Sequence, residues 1–270
     1  MFSGSVQPAV VSLFSSTGSE PLYLWSVTTD SSLPSDSFTC FLDDSKSTPT
    51  PPPPAVLISP HPVGADASGA DRTDNVPERM GYALTQTVLH IQSPSVTKTY
   101  LRCPPFGWAR GRVGREGDLG LKHPWVHIQV RNMGRSWSFE LGLVDQAGKE
   151  GVVRCSTFQN SPKLKPTSPP LLHLPLTFPT ASTTPLTSWS TITMYLPSLI
   201  SHFSTGALAR NLYDEEEEEV RLDEIELPSA RFSHVSYVKI YATCRLKRIW
   251  FSEADSSQRL PWEFELYAEC

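Results

Sequence analysis

The feature that most constrains this chain's fold is an alternation of apolar and polar residues with a period of two. In PWVHIQVR, Val126, Ile128 and Val130 fall on one side of an extended chain. Further alternating runs are RSWSFELGLV (135–144), GVVRCST (151–157), YVKIYATCRL (237–246) and WEFELY (262–267, with Trp262, Phe264 and Leu266 on the apolar side). A period of two is typical of β-strands that bury one face.

The segments between these runs predict how neighbouring strands connect. NMG (132–134) is a short glycine-bearing turn and predicts a hairpin between the first two runs. DQAGK (145–149) predicts a second turn, so that the third run extends a meander. YVKIYATCRL is predicted as one continuous strand.

One helix is predicted, at LPSLISHFSTG (196–206). Leu196, Leu199, Ile200 and Phe203 fall at i, i+3, i+4 and i+7, a proline lies in the first turn, and Gly206 follows the last turn. Many short strands and one short helix predict an all-β fold, an antiparallel β-sandwich.

Composition divides the chain into a folded part and insertions. The 270 residues include 25 prolines and are 39% hydrophobic, which indicates a core diluted by irregular segments. Residues 30–81 contain STPTPPPP and GADASGADRTDN and are predicted to be a disordered insertion. An acidic loop insertion is predicted at 207–232, leaving 1–29 and 82–270 as a single β-sandwich domain.

The N-terminal stretch has no basic residues before its apolar part, and no run reaches the ~18 to 20 apolar residues of a membrane helix. The five cysteines are scattered and odd in number. We therefore expect an intracellular protein with free thiols and no membrane association.

A search for catalytic or metal-binding motifs finds no convincing constellation. GREGDLGLK lacks the spacing of a phosphate-binding loop, and no Cys-x-x-Cys pair or G-x-S-x-G motif is present. His123 and His127, if they lie on one strand, are ~13 Å apart and cannot share a metal ion. We expect no enzyme activity and no cofactor.

Two basic stretches remain. WARGRVGRE (108–116) resembles an arginine-glycine nucleic-acid segment but has only three arginines, so an insertion loop is favoured. In ATCRLKRIWFSE (242–253) the alternation slips by one residue near Lys247 and Arg248, which predicts a β-bulge. Arg245 and Lys247 are predicted to point away from the core; the pattern alone favours a solvated strand face over a binding surface.

Several segments resemble the cilia- and flagella-associated protein twenty family, also called basal body up-regulated protein. The likeness is carried by GSEPLYLW (18–25), TYLRCP (99–104), LGLKHP (119–124), STFQNSPKLKP (156–166) and ATCRLKRIWFSE with LPWEFELY, in colinear order over about two-thirds of the chain.

The resemblance implies a β-sandwich of jelly-roll type and a non-enzymatic role in axonemal doublet microtubules and the basal body. Its implied partners are tubulin at the inner junction and a parkin-coregulated-type protein. The hypothesis that follows is a tubulin contact through Arg245, Lys247, Arg248 and Lys165, in which the local positive patch acts despite a net charge of −5.

Two other functions stay open. A sugar-binding module is suggested by jelly-roll analogy and by Trp125 and Tyr241, which are expected to be exposed. A nuclear protein associated with nucleic acid is suggested by the arginine clusters, although nucleic acid is the less expected partner.

Overall fold

The structure is a computed structural model that describes residues 1–2, 4–49, 58–59, 83–84, 86–107, 117–178, 189–204 and 226–255. These residues form sixteen strands and one helix. In chain order the strands are β1 Val10–Ser15, β2 Ser26–Thr28, β3 Phe38–Asp43, β4 Thr48–Pro49, β5 Ile58–Ser59, β6 Ala83–Leu84, β7 Thr87–Gln92, β8 Tyr100–Cys103, β9 Trp125–Asn132, β10 Ser138–Asp145, β11 Glu150–Ser156, β12 Lys163–Lys165, β13 Leu171–Pro175, β14 Trp189–Tyr195, β15 Phe232–Tyr241 and β16 Cys244–Ser252, and the helix is α1 Leu196–Phe203.

Two seven-stranded sheets build the fold, so the prediction of an all-β sandwich is confirmed. Sheet A has the order β14-β9-β16-β7-β3-β4, with β1 also paired to β16. Sheet B has the order β12-β13-β11-β10-β15-β8-β2, and β5 pairs with β6 separately. The pairing is antiparallel except between β11 and β13, which are parallel. The jelly-roll connectivity stays a prediction.

Apolar side chains from both sheets form the core. Val126, Ile128 and Val130 of β9 are fully buried, as their alternation predicted, and so are Val238 and Ile240 of β15. The polar side of β9 is also covered, because Gln129 is fully buried. A strand in the middle of a sheet can bury both faces even when its sequence alternates.

The predicted hairpin between β9 and β10 is wrong. β9 lies in sheet A between β14 and β16, whereas β10 lies in sheet B between β11 and β15. The short connection therefore carries the chain from one sheet to the other. Both strands bury an apolar face in the same core, so the alternation does not reveal that they belong to different sheets.

The same cause explains a second correction, because YVKIYATCRL is not one strand. β15 ends at Tyr241, the chain crosses between sheets at the buried Ala242 and Thr243, and β16 begins at Cys244. Val238 and Leu246 both point into the shared core, so the apolar phase continues across the break.

Two local predictions are confirmed. β10 and β11 pair antiparallel through the turn at 146–149, from Ser138 with Ser156 to Val144 with Glu150. The pairing of β16 with β9 shifts between Leu246 and Arg248, which is the predicted irregularity.

The prediction that residues 30–81 form a disordered insertion is wrong for its first part. β3 and β4 lie in this segment, and β3 pairs along its whole length with β7, from Phe38 with Gln92 to Asp43 with Thr87. The run FTCFLD is surrounded by Ser, Asp and Pro, so the average composition concealed a six-residue strand. Residues 50–57 and 60–82 lie outside the described part.

Other predictions fall outside the described residues. They concern Trp262, Phe264 and Leu266, the arginine segment at 108–116, and residues 207–225 of the acidic loop insertion. The end of that predicted loop needs a correction, since Phe232 already begins β15. Cys40, Cys103, Cys155 and Cys244 are free, as predicted. Within the described residues, no helix has the length and apolar character required to cross a membrane.

The predicted helix is confirmed at Leu196–Phe203, with Pro197 in its first turn. Leu196, Ile200 and Phe203 are buried. Gly151 of β11 lets this helix approach the sheet, because a Cβ there would lie 2.7 Å from the Phe203 ring and 2.7 Å from Pro228 Cγ. Such contacts are too short for real carbon atoms.

We predict that Gly151→Ala lowers the free energy of unfolding by roughly 1 to 3 kcal/mol, the usual effect of overpacking a core. Denaturant unfolding measures it, and Gly4→Ala is the control because a Cβ at Gly4 meets nothing within 4 Å. In a double-mutant cycle with Phe203→Leu, the smaller side chain should relieve part of the loss. Additive effects would show that Gly151 does not set the helix position.

Candidate functional site

The basic stripe predicted from the sequence lies inside the fold. Arg245 is 7% exposed, Lys247 1% and Arg248 3%. The expectation that these side chains point into solvent is therefore wrong. β16 pairs with β9 on one side and with β7 and β1 on the other, so it is a central strand.

Arg245 is held by the turn between β3 and β4. Its Nη1 donates to Asp44 Oδ1 at 2.7 Å and its Nη2 to Ser47 Oγ at 2.9 Å. Asp44 also accepts from Arg131 Nη1 and Trp189 Nε1, each at 2.9 Å. Burial opposes ionisation of Asp44, but the bonds from Arg245, Trp189 and Arg131 outweigh it and lower its pKa. We call these residues (Asp44, Ser47, Arg131, Trp189 and Arg245) the Asp44 cluster.

Lys247 is buried and donates from Nζ to the carbonyl of Thr87 at 2.9 Å. Burial and the nearby Arg248 charge lower the pKa of Lys247 to about 7, although Asp44 acts in the opposite direction. Reaching a partner through Arg245 would require displacement of the β3–β4 turn that covers it.

Lys165 lies elsewhere. It is exposed at the end of β12, an edge strand of sheet B, while the other three cations belong to sheet A. The structure therefore does not bring the four predicted residues into one patch. Their contact with tubulin stays a prediction, and Lys165 is the one of the four with the exposure it requires.

We predict that Asp44→Ala lowers the free energy of unfolding by roughly 3 to 5 kcal/mol, because it leaves two arginines without their shared carboxylate. Asp36→Ala, a change at an exposed aspartate, is the matched control and should stay within about 0.5 kcal/mol of the parent. Urea denaturation followed by tryptophan fluorescence compares the two. Equal midpoints for both variants would contradict a structural role for the cluster.

Histidines are also buried in this sheet. His127 stacks on Trp250 with ring centroids 4.8 Å apart and contacts Thr193 Oγ1 and Ser252 Oγ at 3.0 and 2.8 Å. Burial lowers its pKa to about 4. His123 is buried too, with Nε2 2.7 Å from the Pro8 carbonyl. In the described residues, no three His, Cys, Asp or Glu side chains are grouped to hold a metal ion.

We predict that stability falls as the pH drops from 7 to 5. The unfolded chain protonates His127 near pH 6.5, whereas the folded chain resists protonation down to about pH 4, so acid favours unfolding. His127 alone should contribute on the order of 1 to 2 kcal/mol over this range. His127→Gln should reduce the slope of stability against pH, while His202→Gln, at an exposed position, should leave it unchanged. An unchanged slope in His127→Gln would contradict the assignment.

A groove on the outer face of sheet B is a concave site of the described structure. Its volume is about 450 Å³, within the range of small-ligand sites. The lining residues come from several strands and loops: Arg102, Phe106, Gly117, Asp118, Glu140, Glu150, Val152, Arg154, Thr167, Ser168, Pro169, Leu171, Ser236, Tyr237 and Lys239. We call it the sheet B groove.

The register of the strands aligns charged residues of this groove in one row. Arg102 of β8 is opposite Lys239 of β15, Lys239 is opposite Glu140 of β10, and Glu140 is opposite Arg154 of β11. His173 of β13 continues the row beside Arg154. Directly opposed residues on antiparallel strands are ~4.5 to 5.5 Å apart, so these charges act on one another.

Two residues of the row, Arg154 and Glu140, form an ion pair. Arg154 Nε donates to Glu140 Oε1 at 2.6 Å, Arg154 Nη2 approaches the same oxygen, and the Tyr241 hydroxyl donates to it at 2.9 Å. Burial opposes the charge of Arg154, but Glu140 raises its pKa. Tyr241 is thus a buried partner of Glu140, which corrects the expectation that it is an exposed aromatic.

The other two cations lie against aromatic rings. The Arg102 guanidinium is 4.0 Å from the centroid of Phe106 and 4.7 Å from that of Tyr237. Lys239 Nζ is 3.8 Å from the centroid of Tyr100 and 4.6 Å from that of Tyr241. Burial lowers the pKa of both cations. Cation–π contacts place these charges without neutralising them.

Gly142 makes room for Tyr237, which lines the groove. A Cβ at Gly142 would lie 2.1 Å from Ser236 Oγ and 2.6 Å from the Tyr237 ring, so only glycine lets Tyr237 lie across β10. Sequence reasoning missed this site, although Lys239 and Glu140 are polar residues of two of the alternating runs, 237–246 and 135–144. The sequence does not give the register between β10 and β15, which places Glu140 opposite Lys239.

Comparison with known proteins identifies the family. The CFA20 domain family matches residues 72–206, half of the chain. The chain belongs to the CFA20 domain family. This confirms the resemblance drawn from the sequence.

Several curated relatives carry one name. "Cilia- and flagella-associated protein 20" of Chlamydomonas reinhardtii is 25% identical over 185 residues, covering 68% of this chain and 75% of the relative. The protein of the same name from Caenorhabditis briggsae is 24% identical over 181 residues, covering 67% and 68%. That of Paramecium tetraurelia is 22% identical over 185 residues, covering 68% and 75%.

The CFA20 domain match covers only some residues of the two sites described above. Arg102, Glu140 and Arg154 of the sheet B groove lie inside residues 72–206, whereas Lys239 and the β16 cations follow it. Asp44 precedes it. Both sites are thus assembled from matched and unmatched parts of the chain.

Proposed function

We propose that this CFA20 domain protein is a non-enzymatic structural component of cilia and flagella. It binds the doublet microtubules of the axoneme at the inner junction, beside a parkin-coregulated-type partner, and serves at the basal body in ciliary assembly and motility. The observation that carries the proposal is family membership, together with relatives named cilia- and flagella-associated protein 20 in an alga, two nematodes and a ciliate.

The chemistry of the described residues supports a structural role. His127 contacts a hydroxyl of the neighbouring strand β16, and His123 contacts the carbonyl of Pro8. Burial raises the pKa of the Cys155 thiol to about 12, which makes it a poor nucleophile. Burial raises the pKa of Cys103 and Cys244 as well. These histidines and cysteines are buried in the sandwich.

The contact with tubulin is proposed to use exposed cations. Lys165 projects from the edge strand β12, next to the buried Leu164 that anchors this strand. An edge strand leaves backbone groups on one side for a partner, and a lysine there adds attraction to an acidic surface. The buried Arg245, Lys247 and Arg248 then support the fold instead of the contact.

We predict that Lys165→Glu weakens co-sedimentation with microtubules roughly two- to tenfold, the effect of reversing one exposed charge pair. The binding that remains should depend less on salt, because one screened attraction has been lost. Lys122→Glu, an equal change at an exposed lysine outside β12, should bind as the parent does.

A tagged copy of the chain tests the cellular part of the proposal. It should label axonemes and basal bodies in ciliated cells. A nuclear signal would favour the alternative role with nucleic acid. Equal pelleting of parent, Lys165→Glu and Lys122→Glu across a salt series would contradict the Lys165 contact.

A further inference from the structure

The strands that end the two large sheets differ in length and regularity. β14 ends sheet A, and among the described residues it pairs with β9 alone, in unbroken register over seven residues. The opposite end of sheet A is β4, which has two residues, and sheet B ends in β12 and β2, which have three residues each. β1, which pairs with β16, is interrupted by a register shift between Ser12 and Phe14.

Natural sheets protect their edges with short strands, lysines, prolines or bulges, because an exposed edge pairs readily with other chains. β4 contains a proline, β12 has a lysine at each end, and β1 has its register shift. β14 has none of these features, since its sequence WSTITMY contains no charged residue and no proline. The backbone groups that it directs away from β9 are therefore suited to pair with a further strand.

The two faces of β14 specify what a further strand must supply. Ile192 and Met194 are partly buried and pack against the core. On the other face, Thr193 is exposed, and Tyr195 is 44% exposed with its ring 4.9 Å from that of Trp125. A matching strand has apolar residues on the core face and threonines and aromatic residues on the outer face.

β14 matches itself in this respect. When a second copy pairs antiparallel about a two-fold axis at Ile192, Thr191 lies opposite Thr193, and Trp189 lies opposite Tyr195. Thr–Thr and aromatic pairs are among the cross-strand pairs that stabilise sheets, and a two-fold axis forms each of them twice. An axis at residue 191 or 193 would leave two residues of each strand unpaired, so the strand length favours the register centred on Ile192.

We propose that β14 is a dimerisation edge, on which a second copy of this chain adds its own β14 and joins two A sheets into one. Because β14 carries no charge, its edge does not attract an acidic or a basic segment, and two copies meet without repulsion. The interface does not depend on the proposed ciliary role. It lies in sheet A, whereas the proposed tubulin contact of Lys165 lies in sheet B.

The size of the interface predicts its strength. Pairing through one strand is small compared with stable interfaces, and interfaces that bury less than ~1,200 Å² belong to weak and transient complexes. We expect a dissociation constant of roughly 10 to 300 µM. Sedimentation velocity of the full chain from about 5 µM to about 1 mM should show a monomer that converts to a dimer.

A chain that stays monomeric at about 1 mM would overturn the proposal. That result would mean that another part of the chain covers the edge, or that the edge accepts only a strand of a different protein.

Thr193→Lys tests the position of the interface. In the proposed register the two copies of residue 193 are diagonal neighbours on one face, ~7 to 8 Å apart, within reach of long side chains. Two lysines there repel each other, so the dissociation constant should rise at least about fivefold. Thr48→Lys, at an exposed threonine of β4 on the opposite end of sheet A, is the matched control and should dimerise as the parent does. Equal behaviour of the two variants would contradict pairing through β14.

A mixture of two variants separates pairing from folding. Thr193→Glu should also weaken self-association, but Thr193→Lys and Thr193→Glu should bind each other at least about threefold more tightly than either binds itself, because opposite charges then meet across the axis. A structural disturbance would not be relieved by mixing. Absence of this preference would overturn the register centred on Ile192.

Hydrogen exchange of the unaltered chain gives a measurement that does not depend on a variant. Amides of β14 that point away from β9 should exchange at least about twofold more slowly at about 1 mM than at about 5 µM, because pairing protects them. Amides of β12, the edge strand of sheet B, should exchange at equal rates. Rates in β14 that do not change with concentration would overturn the proposal.

Discussion

The burial of both faces of β16 is the constraint on which sheet A depends. This strand has neighbours on both sides and carries three cations that are almost wholly enclosed. An enclosed charge is tolerated only when it has a partner. Asp44 supplies that partner for Arg245 from a turn about 200 residues earlier in the chain, so the position of β3 and β4 is tied electrostatically to the middle of the sheet. Lys247 meets the same constraint differently, through a carbonyl acceptor and a lowered pKa.

The charged residues of sheet B have different kinds of partners. Arg154 and Glu140 neutralise each other, but Arg102 and Lys239 are held by aromatic rings, whose attraction leaves the positive charge available. The same residue types are therefore enclosed within sheet A and line a groove on sheet B. Burial and partner identity, and not the sequence motif, distinguish these two uses of basic residues.

The sequence was informative wherever the structure is determined by nearby residues. The helix, the β10–β11 turn and the shift near Lys247 follow from local spacing, and the alternation correctly identified strands. It could not show that β9 and β10, or β15 and β16, lie in different sheets, because both sheets bury apolar residues in one core. It missed β3, whose pairing depends on β7, and it misplaced Arg245, whose partner is distant in sequence. The groove depends on register across four strands, which no single segment contains.

The position of β16 also has a consequence for synthesis of the protein. β7 and β9 flank β16 in sheet A, yet both are translated long before Ser252, the last residue of β16. Until the ribosome has passed that residue, β9 lacks one neighbour, β1 lacks the one strand with which it pairs among the described residues, and Asp44 has no Arg245 to bind. Long-range pairing of this kind is slow and leaves strand edges open to other chains. A nascent chain of this protein is thus a natural client for chaperones that shield exposed strands.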